Sequence, residues 1–387
     1  MKKKQQTTPD RIRIIWVFVL LILITLAAAA VLRLISVWPK ETLDSKLRGS
    51  IKRESAWFAA NQTPAGDFVY ERFAGTGEIK EGNNIVRQAG ALYGLGQVYA
   101  FTKDPDVKQT LEKGLEYFRL LTATVSAESA AITHEESTYT NTTALVVLGL
   151  VEYMESDETH NTTENLEYLV RLSNYLVATQ VSSGAYVNSY NPKPQESDYN
   201  NGETMYALIR SYALTQKQEY LLSVKRMANY ALHQYGQQDF NGSFFSWGMA
   251  GFSYLYRVEP DSRYWEFLSG SADKYMNARG QGYERYLREK KNNPVIPGAS
   301  VFLEGVSHIG WVAKEKDPVL YRKLRRHVEL LLAHLLQYEI NSPYGKYKTT
   351  AESVNGAVCS QITCETTRLD FMQHNMSAMV LYLKFLK

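Results

Sequence analysis

Two carboxylates stand at matching places in this 387-residue chain. Glu203 follows an Asn-Asn-Gly turn in Asp198-Tyr-Asn-Asn-Gly-Glu-Thr-Met-Tyr-Ala-Leu-Ile-Arg210, and Asp370 lies in Thr367-Arg-Leu-Asp-Phe-Met-Gln-His374. Each opens an apolar run with helical spacing. A carboxyl pair is what acetal cleavage requires, because one group protonates the leaving oxygen while the other activates water or attacks the anomeric carbon. Both residues also have plainer roles open to them. Glu203 in a first helical turn would gain about 0.3–1 kcal/mol from the macrodipole, and Asp370 could cap its helix or pair with Arg368.

Other polar side chains recur at the starts of apolar helical runs. Arg87 and Gln88 precede one, where an arginine needs a partner, either a sugar carboxylate or a protein glutamate. Tyr139, Asn201, Arg368 and His374 stand at similar places. Trp247 could stack on a pyranose face, or pack with Phe244 and Phe245 as core. Glu304 and His308 are four apart and share a helical face. One Glu and one His are fewer ligands than catalytic zinc takes, so neither a metal nor another cofactor is expected.

The elements that must hold these residues are almost all helical. Runs with apolar residues on one side only (107–122, 163–179, 217–233, 262–276, 318–338) alternate with runs apolar nearly all round (83–99, 140–153, 202–214, 245–256, 301–312, 371–385). A mostly polar helix over 47–60 comes first, and the stretch 66–71 alternates like a strand. Three glycines in the 83–99 helix, at about 1 kcal/mol each, imply close helix packing. Alternating half-exposed and buried helices are what a closed ring of hairpins demands. The expected fold class is therefore all-α, an (α/α)6 toroid with the inner helices parallel. The loops that enter those helices, among them 66–82, 182–201, 281–300 and 342–370, would then open on one shared mouth.

Before the toroid, residues 14–32 carry no charge, enough to cross about 30 Å of hydrocarbon. Lys2, Lys3, Lys4, Arg11 and Arg13 place the N-terminus in the cytoplasm. The expected organisation is a basic tail (1–13), a transmembrane anchor (14–35), a linker (36–45) and an extracytoplasmic toroid (46–387). A cleaved signal peptide is the alternative, since Ala27 to Ala30 are small. Net charge is only +3, without a dense basic stripe, so nucleic acid is not expected as a partner. Cys359 and Cys364 could form a small disulfide outside the cytoplasm.

With Asn84-Ile-Val-Arg-Gln-Ala-Gly90, Tyr199-Asn-Asn-Gly-Glu-Thr-Met-Tyr-Ala-Leu208 and Thr367-Arg-Leu-Asp-Phe-Met-Gln-His374 opening inner helices, residues 45–387 resemble the six-hairpin glycosidase superfamily. They are more loosely similar to members associated with bacterial polysaccharide biosynthesis. The resemblance implies a polysaccharide or oligosaccharide partner in the central cavity. Hydrolysis is the expected reaction, with Glu203 and Asp370 as acid and base. Two alternatives stay open: a uronate lyase or epimerase using Tyr139, Tyr199 or His374, and a non-catalytic glycan-binding factor beside an export machine.

Overall fold

The computed structural model describes residues 16–25, 27, 41–135, 137–188, 195–290 and 294–387. The chain divides into two units, Met1–Lys46 and Leu47–Lys387. In the first, residues 16–25 are helical and their large apolar side chains are exposed. Half of the expected 14–35 anchor, residues 28–35 among it, lies outside the described residues. Among the described residues, no helix is long and apolar enough to cross a membrane.

The second unit is a ring of helical hairpins. Outer helices α1 (Leu43–Ala60), α3 (Pro105–Leu120), α5 (Thr163–Ala178), α7 (Gln218–Gln234), α9 (Ser262–Tyr275) and α12 (Pro318–Leu335) alternate with inner helices. The inner set is α2 (Ile85–Thr102), α4 (Thr140–Ser156), α6 (Asp198–Thr215), α8 (Gly242–Val258), α11 (Ser300–Lys316) and α13 (Leu369–Leu381). Inner helices pack in the order α2, α4, α6, α8, α11, α13 and back to α2, which closes the toroid. Their sequences explain the layer they occupy. α4 buries every residue from Thr142 to Met154, whereas α3 buries Val107, Leu111, Leu115 and Phe118 and leaves Glu112, Lys113 and Glu116 in water.

Between the helices lie short strands: β1 (Glu71–Phe73), β2 (Ile79–Lys80), β3 (Thr122–Ser126), β4 (Ser129–His134), β5 (Ser137–Thr138), β6 (Val187–Asn188), β7 (Gln195–Glu196) and β8 (Thr366–Arg368). All stand on connections that lead into inner helices. The most consequential pairing is β1 with β8, antiparallel, with Glu71 opposite Arg368 and Phe73 opposite Thr366. It ties the last mouth loop to the first. Cys359 and Cys364 form a disulfide just before β8.

One expectation about the loops needs correction, and a second connection holds strands that were not expected. The 281–300 connection is not all loop, because α10 (Gln281–Glu289) extends the α9 helix through the wider turns of residues 276–280. Burial of Tyr283 and the contact of Glu284 with His327 on α12, at 2.9 Å, hold it there. The connection before α4 forms the β3-β4-β5 sheet, whose Ala130, Ala131 and Ile132 are fully buried. Strands this short leave too few alternations to read from sequence.

The glycines of α2 mark close approach, as their density implied. A Cβ on Gly96 would lie 2.9 Å from the Glu152 Cβ and 3.1 Å from the Gly149 carbonyl oxygen on α4, and one on Gly94 would lie 2.9 Å from the Gln373 Cγ on α13. Gly96→Ala is expected to destabilise the protein by about 1–3 kcal/mol in urea unfolding, overriding the helix preference of alanine.

A carboxyl pair is buried where α1 meets α13. Glu54 Oε1 accepts from Ser50 at 3.1 Å and Asn375 at 2.6 Å, while Ser50 also donates to Glu339 at 2.7 Å. Arg53 answers Glu339, and Glu54 Oε2 has no partner. Burial, reinforced by Glu339, pushes the Glu54 carboxyl well above its ordinary value of 4.5. A folded-state pKa above the unfolded one gives stability that is complete below that value and lost as pH rises through the folded pKa. Unfolding midpoints are expected to fall as pH is raised from 4.5 toward neutrality, and Glu54→Gln should make that decline shallower.

Candidate active site

Parallel inner helices place the first two turns of each at one end of the ring, so residues distant in sequence converge there. They surround a cavity of 440 Å³ lined by Arg87 of α2, Asn141 of α4, Tyr199 and Glu203 of α6, Trp247 of α8, Ser300 of α11, and Asp370, Phe371, Gln373 and His374 of α13. A pocket of this size, part apolar with a few convergent polar groups, suits a small ligand of about 300–1,000 Å³ sites.

The two expected catalytic carboxyls share this cavity but differ in surroundings. Glu203 is in the second turn of α6, which starts at Asp198 rather than near residue 202. The macrodipole explanation therefore loses force, as that effect falls off within the first turn. Its side chain is buried and Oε2 has no hydrogen-bond partner. Burial alone pushes its pKa well above the usual carboxylate range. Gly202 lets α6 approach α8 closely, since a Cβ there would lie 2.9 Å from both the Gly248 nitrogen and the Trp247 Cβ. This contact sets Trp247 beside the acid.

Asp370 is instead surrounded by donors. Arg368 grips it with two bonds, Nε to Oδ1 at 2.7 Å and Nη2 to Oδ2 at 2.9 Å. Arg87 adds Nε to Oδ2 at 3.2 Å, and its Nη1 donates to the Tyr70 hydroxyl. The β1–β8 pairing produces this arrangement, because it brings Arg368 against the strand that follows Tyr70.

A third group lies at the cavity floor. His374 Nδ1 is 2.6 Å from Glu304 Oε1. Burial pushes the Glu304 carboxyl up, with the His374 ring acting in the opposite direction. Glu304 itself does not line the cavity; it fixes the orientation of the histidine that does.

Like Glu304, Arg368 does not line the cavity and reaches it through Asp370, and four more expected substrate contacts are elsewhere. Gln88 is engaged by the first loop, accepting from Phe68 N at 2.9 Å and donating to Phe68 O at 2.8 Å and Asn83 at 2.9 Å. Asn201 plays the same part in the third loop, accepting from Tyr186 N at 2.7 Å and donating to the Tyr235 hydroxyl at 3.0 Å. Both satisfy buried loop backbone, which apolar neighbours cannot. Tyr139 is the N-cap of α4 and does not line the cavity. His308 lies below the floor, its Nδ1 2.9 Å from the Glu304 carbonyl oxygen and its Nε2 without a partner. Burial, more than any neighbour, lowers its pKa to about 4, so it is a neutral ring at pH 7.

Phe371, Ser300 and Tyr70 belong to the site without having been singled out. Phe371 sits between Asp370 and Gln373 in a motif already noted, so its position was available to sequence reasoning; Tyr70 depends on strand register and was not. Among the described residues, no group of three or more His, Cys, Asp or Glu is placed to hold a metal.

The contrast between the carboxyls is testable without a substrate. Asp370→Asn should lower stability by about 1–3 kcal/mol in urea unfolding at pH 7, since two guanidinium groups lose their counter-charge. Glu203→Gln should not lower it.

No protein-family model matches the chain, and no curated protein matches it in sequence. Solved structures do match in fold. The GH76A alpha-1,6-mannanase from Salegentibacter sp. HEL1_6 superposes with a TM-score of 0.65 at 10% identity, over 89% of this chain and 100% of that one. An unsaturated glucuronyl hydrolase specific for heparin gives 0.61 at 13% identity, over 89% and 100%. The cellobiose 2-epimerase from Spirochaeta thermophila gives 0.60 at 12% identity, again over 89% and 100%. These neighbours are members of the six-hairpin glycosidase superfamily, and this chain shares their toroid fold.

Proposed function

We propose that this chain is a carbohydrate-active enzyme that binds a saccharide in the central cavity and hydrolyses a glycosidic bond, with Glu203 as proton donor and Asp370 as base. The observation that carries this reading is Glu203, a buried carboxyl with an unpartnered oxygen in the wall of the cavity, whose pKa burial raises well above the usual carboxylate range. A group in that state can protonate a glycosidic oxygen at neutral pH. Asp370 shares the cavity and is held in orientation by Arg368. Trp247 and Phe371 offer aromatic surface for a pyranose ring. The fold neighbours include enzymes that act on mannan and on glucuronyl saccharides.

A second reading rests on the Glu304–His374 contact. With Nδ1–H held by a carboxylate, Nε2 is left as a base, and a base at the cavity floor suits removal of a proton from a sugar carbon. That is the chemistry of an epimerase or a uronate lyase.

The membrane anchor is proposed on the uncharged run 14–32 and its basic flank, and an extracytoplasmic toroid is supported by the Cys359–Cys364 disulfide. Protease added to intact cells should then digest the toroid; full protection would contradict that placement.

For the reaction, the protein is incubated with acidic and neutral exopolysaccharides. New reducing ends carrying oxygen from labelled water are expected, and Glu203→Gln should reduce their rate by about 10²–10⁴-fold. Full hydrolysis by Glu203→Gln would show the assignment to be wrong. Deuterium taken from the solvent into a carbon-bound position, or an ultraviolet-absorbing unsaturated product, lost in His374→Gln, would establish the second reading instead.

A further inference from the structure

The charges around the cavity do not balance. Asp370 is the only carboxylate that meets Arg87 and Arg368 in an ion pair among the described residues. Glu71 is close enough to Arg368 to act on it electrostatically, but it forms its own ion pair with Lys80 at 3.2 Å. Burial pushes the remaining carboxyl on the cavity wall, Glu203, well above the usual carboxylate range, which disfavours its charged form. Arginines elsewhere are better matched: Arg210, wholly buried, meets both Glu152 at 2.7 Å and Glu155 at 2.8 Å.

Arg87 is the more accessible member of the pair, the Arg368 side chain being 26% accessible. The Arg87 side chain is 35% accessible and lines the cavity, while Arg368 is turned over the Phe371 ring at 4.9 Å and donates both its Nε and Nη2 to Asp370. Arg87 uses Nε on Asp370 and Nη1 on the neutral Tyr70 hydroxyl, so its charge is shared rather than cancelled. The backbone adds to this potential. Inner helices α2, α4, α6, α8, α11 and α13 all direct their N-termini, each with a partial positive charge, toward the same mouth.

Resting on the reading of the cavity as a saccharide site, we propose that its substrate is an anionic glycan, and that Arg87 recognises the acidic group of the sugar bound there. A guanidinium edge suits a planar uronate carboxylate, and it also suits a phosphodiester substituent. Both present oxygens that accept from the same donors. The neutral alternative is disfavoured because a saccharide without charge would cover Arg87 and remove its water without supplying a counter-charge.

The test measures binding and not turnover, using Glu203→Gln protein so that cleavage does not interfere. Uronate-containing oligosaccharides are compared by calorimetry with the same oligosaccharides after carboxyl reduction, and a glycerol-phosphate-substituted glycan is compared with its dephosphorylated form. The acidic member of at least one pair should bind about tenfold more tightly at low salt. Arg87→Met should collapse that ratio toward one, and Arg87→Lys should retain part of it. Which pair shows the ratio identifies carboxylate or phosphate as the group read. Equal binding within both pairs, a ratio unmoved in Arg87→Met, or no binding of either acidic glycan would overturn the proposal. Should the Arg87 variants not fold, the comparison on Glu203→Gln protein alone still decides whether charge is preferred. A hydrolysis assay that fails while the acidic preference holds would remove the proposed reaction and leave this inference standing.

Discussion

Closure of the inner ring is the constraint on which the rest of the molecule depends. Helix α13 must reach α2 for the toroid to close, and glycines at the seam make that approach close enough, with Gly90 and Gly94 both set against Gln373. The β1–β8 pairing then fastens the loop before the last inner helix to the loop before the first. Because the inner helices are parallel, closing the ring also gathers their N-terminal turns, and the chemistry of the protein follows from which side chains occupy those turns. The site is thus a consequence of ring closure more than of any single loop.

Within that site the same residue type is put to different uses by its environment. Glu203 is buried with its Oε2 unpartnered, and burial pushes its carboxyl well above the usual carboxylate range. Asp370, two residues beyond a strand end, is met by two guanidinium groups. Glu304 lies beneath the floor and acts through His374. Three acids in and beneath one mouth therefore divide into a desolvated carboxyl, a paired carboxylate and an orienting group. Below them a separate polar layer, Arg210 with Glu152, Glu155 and Tyr206, occupies the barrel axis and is satisfied mostly within itself.

How far the site could be read in advance depended on what kind of information each residue carries. That Glu203, Asp370, Arg87, Trp247 and His374 would face one cavity was legible because each opens a run of apolar residues, and position at a helix start is preserved when parallel helices form a ring. Gln88 and Asn201 look identical to them by that criterion. They were misassigned because a polar side chain at a helix start can turn inward to the cavity or back to its own loop, and the loop backbone at Phe68 and Tyr186 needed partners. His308 shows the limit of the helical-face argument. It shares a face with Glu304, which touches the cavity's His374, yet one turn further along α11 the His308 ring is held in the core by the Glu304 carbonyl.

The order of half-exposed and buried helices, and with it a closed ring with one polar mouth, was determined by the sequence alone. Hydrophobic periodicity is a local property that every long helix displays. What the tertiary structure decided was the partner of each polar group. Whether Glu203 is solvated or desolvated, whether Asp370 is met by one arginine or two, and whether Glu54 shares a buried pocket with Glu339 nearly three hundred residues away, as their Ser50 bridge shows, all depend on contacts across the ring. Charge states respond to neighbours within a few ångströms, and those neighbours are supplied by chain closure, which no local pattern records.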